Sequence, residues 1–271
     1  PERDHAVMQE LIEEGQGRFL QTRSHFFRQR YAYQVIRLAH YAGKWQQTVD
    51  LYNFLLPKID RRRPSIIYYW TLGHLAGALQ RLGKLPDAAY RYSIIFRHCA
   101  SKRAQAFRSF RLSDDRDWQK TLRLCQDDGE RVTLHLMRAG TARTYTVEDL
   151  ETIYDLDPNN PHLDLLLVSD VQQLERIFLR TPVTERKYGA VRSALRRETA
   201  AQHLLSLQRF VRRVLHEQKT PNRKLWLAMN GYLELLAGDR YAAGKSFQRA
   251  KGELQKGKDY DEILRRQVDI W

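Results

Sequence analysis

A run of positive charge is the most prominent chemical feature of the sequence. Between Arg180 and Lys224 there are twelve lysines and arginines and three glutamates, a formal charge of +9. Arginine pairs well with phosphate, so this stretch predicts binding to RNA, to a lipid head group or to an acidic protein. The alternative is a solvated helix face beside a loop, and base stacking would be poor because only Tyr188 and Phe210 supply aromatic rings there. The arginines that define the stretch are Arg192, Arg196, Arg197, Arg209, Arg212 and Arg213.

No catalytic motif accompanies this charge. The sequence contains no G-x-x-x-x-G-K-[ST], no G-x-S-x-G and no H-E-x-x-H. Its one adjacent His/Cys pair, His98 and Cys99, predicts a buried thiol, because neighbouring helical residues point about 100° apart and cannot share one site. The sequence therefore predicts a protein that is not an enzyme and that uses no metal or cofactor.

The composition predicts a folded, basic chain. Of its 271 residues 42% are hydrophobic, which suffices for a core, and the formal net charge is +14. Arginine supplies 34 of the 46 basic residues, which indicates either an acidic partner or a bias in genome base composition. The two cysteines form neither a disulfide framework nor a zinc site. No apolar run reaches the roughly 18 to 20 residues of a membrane helix, so no transmembrane segment is expected.

The spacing of apolar residues predicts helix after helix. Most of the chain repeats them at intervals of three and four, and Gly-Lys or Gly-Asp pairs interrupt the pattern at Gly43, Gly83 and Gly238. Glycine readily takes the left-handed conformation that ends a helix, so each pair predicts a turn between two antiparallel helices. Aligned on these glycines, small and large residues fall at the same offsets. Small residues such as Gly77 are predicted to lie where the two helices of a hairpin cross.

The aligned offsets resemble the tetratricopeptide repeat, a helix-turn-helix unit of about 34 residues. The resemblance is best over residues 72–100 and extends to residues 30–56 and 227–250. It implies an all-α fold, a right-handed solenoid of stacked antiparallel helix pairs. In such a solenoid the first helix of each unit lines a concave groove that binds a protein or peptide partner.

The groove positions implied by this resemblance combine arginines with aromatic rings, which would suit an extended acidic peptide or a carboxylate. The lysine/asparagine carboxylate clamp of the family is not reproduced. The alternative is that the rings pack against neighbouring helices. The positions are Arg30, Tyr33, Arg37, His40 and Tyr41 in the first unit, and Trp70, Gly73, Gly77, Gln80 and Arg81 in the second.

Three segments also resemble pieces of large, uncharacterised helical-repeat envelope proteins of Gram-negative bacteria. They are RQRYAYQVIRLAHYAGKWQQTVDLY, DPNNPHLDLLLVSDVQQLE and LAMNGYLELLAGDRYAAGKSF. This resemblance implies one stretch of a longer exported protein, in the periplasm or cell envelope rather than the cytoplasm.

The pattern divides the chain into four parts: tetratricopeptide-like repeats (1–110), irregular helical repeats (111–180), a loop or hinge (181–198) and a C-terminal helical repeat (199–271). The loop is expected because Pro182 and Gly189 interrupt a weak periodicity. The predicted function is a non-catalytic interaction scaffold in a larger envelope-associated assembly. The first alternative is an RNA-binding helical repeat protein that uses the basic stretch, and the second is a helical enzyme or enzyme accessory.

Overall fold

The computed structural model describes residues 5–59, 64–141, 147–179, 190–255 and 258–271, without the side chains of residues 190–197. Within these ranges all regular structure is helical, which confirms the predicted all-α class. No helix in the described ranges combines the length and apolar character of a membrane span. The α-helices are α1 (His5–Gln21), α2 (His25–Tyr41), α3 (Trp45–Leu55), α4 (Ile66–Arg81), α5 (Leu85–His98), α6 (Arg103–Ser109), α7 (Asp115–Leu122), α8 (Asp128–Thr141), α9 (Val147–Leu156), α10 (Leu163–Phe178), α11 (Ala190–Glu217), α12 (Arg223–Leu236), α13 (Arg240–Glu253) and α14 (Asp259–Ile270).

Tertiary packing divides the chain into two compact units, residues 1–137 and 138–271. This division lies within the stretch predicted as irregular helical repeats, 111–180. In the first unit α2 packs on α1 and α3, and α4 packs on α2, α3 and α5. Helix α4, the first helix of its hairpin, therefore contacts its own partner and both helices of the preceding hairpin.

The segment predicted as a loop or hinge, 181–198, is helical in its second half. Helix α11 already begins at Ala190 and runs for 28 residues, whereas residues 181–189 lie outside the described ranges. No glycine or proline follows Gly189 within the helix, and the residues just after it are rich in alanine and arginine. Both residue types have high helix propensity, which outweighs the weak apolar periodicity of this segment.

Three helices end at a glycine in the same way, which confirms the predicted turns. Gly43, Gly83 and Gly238 have φ angles of 74°, 76° and 88°, in the left-handed region. At each turn the N–H after the glycine donates to the carbonyl oxygen five residues earlier, as in a Schellman motif. These bonds run from Lys44 to Ala39 (3.0 Å), from Lys84 to Leu79 (2.9 Å) and from Asp239 to Glu234 (3.0 Å).

Glycine also permits the close packing of neighbouring helices. A Cβ atom on Gly77 of α4 would lie 2.7 Å from Cε1 of His40 in α2. The predicted close crossing is therefore confirmed, but the partner is α2 of the preceding hairpin and not α5 of the same one. Gly231 of α12 allows close packing within its own hairpin, because a Cβ there would lie 2.7 Å from the ring of Phe247 in α13.

Replacing Gly77 with leucine is expected to lower the free energy of unfolding by about 1 to 3 kcal/mol, since the new side chain overpacks the contact with His40. The matched control is Gly17→Leu in α1, where an added Cβ meets nothing within 4 Å. Thermal unfolding followed by circular dichroism compares the two variants. Equal melting temperatures for Gly77→Leu and the native protein would contradict the close crossing.

The second unit is built around α12, whose residues 225–234 are all buried. The buried polar side chains on this helix bond to one another and to α13. The amide nitrogen of Asn230 donates to Glu234 Oε1 at 2.9 Å and to Ser246 Oγ at 3.0 Å, and Ser246 Oγ donates to Glu234 Oε2 at 2.7 Å. Because most buried polar groups need such partners, this network fixes how α13 packs on α12.

Candidate functional site

The first unit contains a pocket of about 270 Å³ between the first helices of its two hairpins, α2 and α4. Helix α5, the short 3₁₀ segment Ala100–Lys102 and helix α6 complete its walls. We name this cavity the aromatic pocket. Its lining residues are Tyr33, His40, Tyr41, Tyr69, Trp70, Gly73, His74, Gly77, Tyr92, Ile95, Lys102, Gln105 and Ala106.

Rings from α2 and α4 meet at tilted or edge-on angles along one wall of the aromatic pocket. The Tyr33 ring centroid lies 6.0 Å from that of Trp70 and 5.7 Å from that of His74. His74 is also 5.0 Å from His40 and 5.7 Å from Tyr41. These separations are typical of favourable aromatic pairs, so the wall is a preformed aromatic surface.

Two glycines keep part of the α4 wall free of side chains. Gly73 and Gly77 both line the aromatic pocket and lie about one helical turn apart. A Cβ on Gly73 would be in ordinary contact with Ile95, at 3.8 Å, whereas one on Gly77 would collide with His40. Gly73 therefore leaves room beside α4, whereas the His40 ring covers Gly77.

The two histidines of the aromatic pocket are neutral at pH 7. Burial, the neighbouring ring of His40 and the charges of Arg37 and Lys102 lower the pKa of His74 to about 4. Burial also lowers the pKa of His40, and the charge of Arg81 adds to this effect. A hydrogen bond to the backbone of His74 acts in the opposite direction. The pocket therefore holds two uncharged imidazoles close to three cations.

The structure brings together six of the predicted groove residues. All six line the aromatic pocket, so the rings that were expected either to face a groove or to pack on neighbouring helices do both. The residues are Tyr33, His40, Tyr41, Trp70, Gly73 and Gly77.

The predicted arginines do not line the aromatic pocket. Arg30 and Arg37 are each turned by about 60° around α2 from Tyr33 and His40, at 100° per residue. The Arg30 guanidinium lies 3.3 Å from the ring centroid of Phe26. Arg37 and Arg81 are exposed but close enough to lower the pKa of His74 and of His40, respectively. Their positive charges therefore act on the pocket although their side chains do not line it.

Gln80 is a structural residue and not a groove residue. Its amide nitrogen donates to the carbonyl oxygen of Ser109 at 3.3 Å, and its amide oxygen accepts from the Tyr92 hydroxyl at 3.4 Å. The side chain thereby connects α4 to α5 and to the end of α6. The Gln80 side chain is therefore directed toward these helices and does not line the pocket.

Several pocket residues are missed by the sequence reasoning. His74 follows Trp70 by four residues, a spacing that places both on one face of a helix. This spacing could have predicted His74 as a pocket residue. Tyr92, Lys102 and Gln105 come from α5 and the segments after it, and no local pattern connects them to α2. Their place in the site depends on how the helices pack.

The basic stretch is largely engaged in ion pairs where it is described. Arg213 Nη1 lies 3.1 Å from Asp155 Oδ1, and its guanidinium contacts the Tyr154 and Phe210 rings. Arg212 pairs with the buried Glu234 at 3.4 Å. Arg209 donates to Ser206 Oγ at 3.1 Å. The side chains of Arg192, Arg196 and Arg197 lie outside the described part of the structure.

Ion pairs also engage the end of this stretch. Arg223 Nε lies 2.8 Å from Glu253 Oε1, Lys219 Nζ lies 2.9 Å from Glu217 Oε2, and Lys224 pairs with the buried Asp261. Four of the described cations of this stretch therefore pair with carboxylates on other helices, namely Arg212, Arg213, Arg223 and Lys224.

Cys99 is buried, as predicted, and its Sγ lies 3.5 Å from Ser101 Oγ. Among the residues that the structure describes, no three His, Cys, Asp or Glu side chains are grouped so that they could hold a metal ion. The aromatic pocket, with its rings, glycines and nearby cations, is the candidate binding site. Comparison with protein-family models, with curated proteins and with solved structures yields no match to this chain.

Proposed function

We propose that this chain is a non-catalytic scaffold that binds a segment of a protein partner in the aromatic pocket. The observation that carries the proposal is the position of this pocket between the first helices of two successive hairpins. A preformed concave surface lined by aromatic rings and a few polar groups is typical of sites that bind ligands.

The proposal includes the architecture that the sequence resemblance implies, a right-handed solenoid of tetratricopeptide-like helix pairs. Three equivalent glycine turns support it, as does the packing of α4 on both helices of the preceding hairpin. Stacked hairpins of this kind expose extended concave surfaces for partners. The resemblance to envelope proteins extends the proposal to a larger assembly in the periplasm or cell envelope.

Site-specific photo-crosslinking in the native source tests this function. A photoreactive phenylalanine analogue at Gln105, which is exposed and lines the pocket, is compared with the same analogue at Gln46, which is exposed on α3 and does not. We expect one discrete protein adduct from position 105 and none from position 46. Adducts with RNA from position 105, or the same adducts from both positions, would contradict the scaffold function.

A further inference from the structure

The charged side chains in and near the aromatic pocket are positive. Among the described residues that line it, Lys102 is a cation and none carries a carboxylate. Two exposed arginines, Arg37 and Arg81, are close enough to act on the pocket's histidines. A ligand with a negative charge therefore meets a positive potential in a partly desolvated cavity, where the attraction is stronger than in water.

The volume and the lining of the pocket limit the apolar part of the ligand. A cavity of about 270 Å³ is below the usual size of drug-like sites and suits one side chain better than a long segment. Its wall of Tyr33, Trp70 and His74 rings favours a partner ring over an aliphatic chain. Gly73, which has no side chain, leaves room for the partner beside α4.

His74 is the titratable group best placed to respond to such a ligand. Its ring is half-buried and lines the pocket. By contrast, Nδ1 of His40 is buried and finds no hydrogen-bond partner among the described residues, so a second proton on that ring would be left without an acceptor. A carboxylate within about 4 to 6 Å of an imidazole favours its protonated form.

We propose that the aromatic pocket takes an aromatic residue of the partner that has a carboxylate side chain beside it, and that binding of this carboxylate places a proton on His74. The proposal rests on the proposed function, because it names the partner segment that the scaffold recognises. The aromatic side chain fills the cavity beside the Tyr33 and Trp70 rings, which line it. The carboxylate approaches Lys102 and the imidazolium of His74.

The groups around His74 determine whether its protonation strengthens or weakens binding of the carboxylate. In the free protein the cations and the apolar surroundings keep its ring neutral, in agreement with a pKa of about 4. A bound carboxylate offsets their effect, so protonation and binding favour each other and affinity rises as the pH falls below neutrality. The groups around His74 or in the same pocket are Tyr33, Arg37, His40 and Tyr41 on α2, Trp70 on α4, Tyr92 on α5 and Lys102 in the 3₁₀ segment. Trp45 on α3 and Arg81 on α4 act on the neighbouring His40.

NMR titration of the whole 271-residue chain tests both halves of the proposal. The probes are the blocked peptides acetyl-Gly-Glu-Phe-Gly-amide and acetyl-Gly-Gln-Phe-Gly-amide, which differ only in the charge of one side chain. Histidine Cε1–H signals are followed against pH with each probe at millimolar concentration, and the His74 signal is assigned by its loss in His74→Gln. The variant Trp70→Ala removes one wall of the cavity.

We expect the Glu peptide to raise the pKa of His74 by about two units or more and the Gln peptide to leave it unchanged. The Glu peptide should bind at least several-fold more tightly than the Gln peptide at pH 5.5 in the native protein, and this preference should shrink in His74→Gln. Trp70→Ala should weaken the binding of both peptides.

Equal binding of the two peptides, or binding of the Glu peptide without a change at His74, would overturn the proposal. The proposal would also be overturned if neither peptide bound, even if a free aromatic acid such as 3-phenylpropionate did bind. A crosslinked partner at position 105 whose bound segment lacks an acidic-aromatic pair would also overturn it, while leaving the scaffold function intact.

Discussion

Replacing Arg37 and Arg81 together with glutamate is expected to weaken binding of the partner by about 2 kcal/mol or more, which is about 30-fold in Kd. The two guanidinium groups lie near the Tyr41 and Trp45 rings, at 5.3 and 5.8 Å, and remain exposed. Their charges act on the histidines of the aromatic pocket. Reversing both charges turns attraction for an acidic segment into repulsion beside the pocket.

The matched control for this double variant is Arg249→Glu with Arg266→Glu. Both control residues are exposed in the second unit, and the change in net charge is the same. Isothermal titration with the crosslinked partner compares the two proteins, and both should keep the native melting temperature because surface substitutions usually change stability by only about 0.5 kcal/mol. Equal affinities of the two double variants would show that Arg37 and Arg81 have no role in docking.

Removing the guanidinium of Arg138 is expected to destabilise the second unit by about 3 kcal/mol or more. Arg138 Nε donates to both carboxylate oxygens of Asp149, at 2.9 and 3.0 Å, and Nη2 lies 2.6 Å from Oδ1. Asp149 is fully buried, so Arg138→Ala withdraws the cation from a carboxylate that water does not reach. Breaking such a pair costs far more than an exposed ion pair contributes, because the buried charge loses its compensation.

Urea unfolding measures this effect against Arg131→Ala, which lies on the same helix, α8. Arg131 pairs with Asp128 at 3.2 Å, and both side chains are about half exposed or more, so the control should lose less than about 1 kcal/mol. Arg138→Lys, which keeps the charge but not the two-pronged geometry, should fall between the two alanine variants. A loss from Arg138→Ala no greater than that from Arg131→Ala would contradict the role assigned to this pair.

The sequence by itself determined the local structure of this protein. Apolar spacing of three and four specifies the helices, and Gly43, Gly83 and Gly238 specify turns, because only glycine takes a positive φ at little cost. Each of these patterns specifies the conformation of residues close to it in the sequence. It can therefore be recognised without knowledge of the tertiary structure. The segment after Gly189 shows the limit of this reading, since weak periodicity suggested a loop where helix propensity produced α11.

Only the tertiary structure decided which of these helices meet and what their side chains do there. Gly77 is small because α4 crosses α2, a contact between residues 37 positions apart in the sequence. Lys102 joins the aromatic pocket because its 3₁₀ segment packs on α5 and α6, which places Nζ 5.9 Å from the Trp70 ring centroid. Similarly, Arg212 and Arg213 appear in the sequence as a phosphate-binding surface, but carboxylates on other helices pair with them. A charge in the sequence has no partner until the helices pack, because the distance between two side chains, and therefore their interaction, is set by the fold.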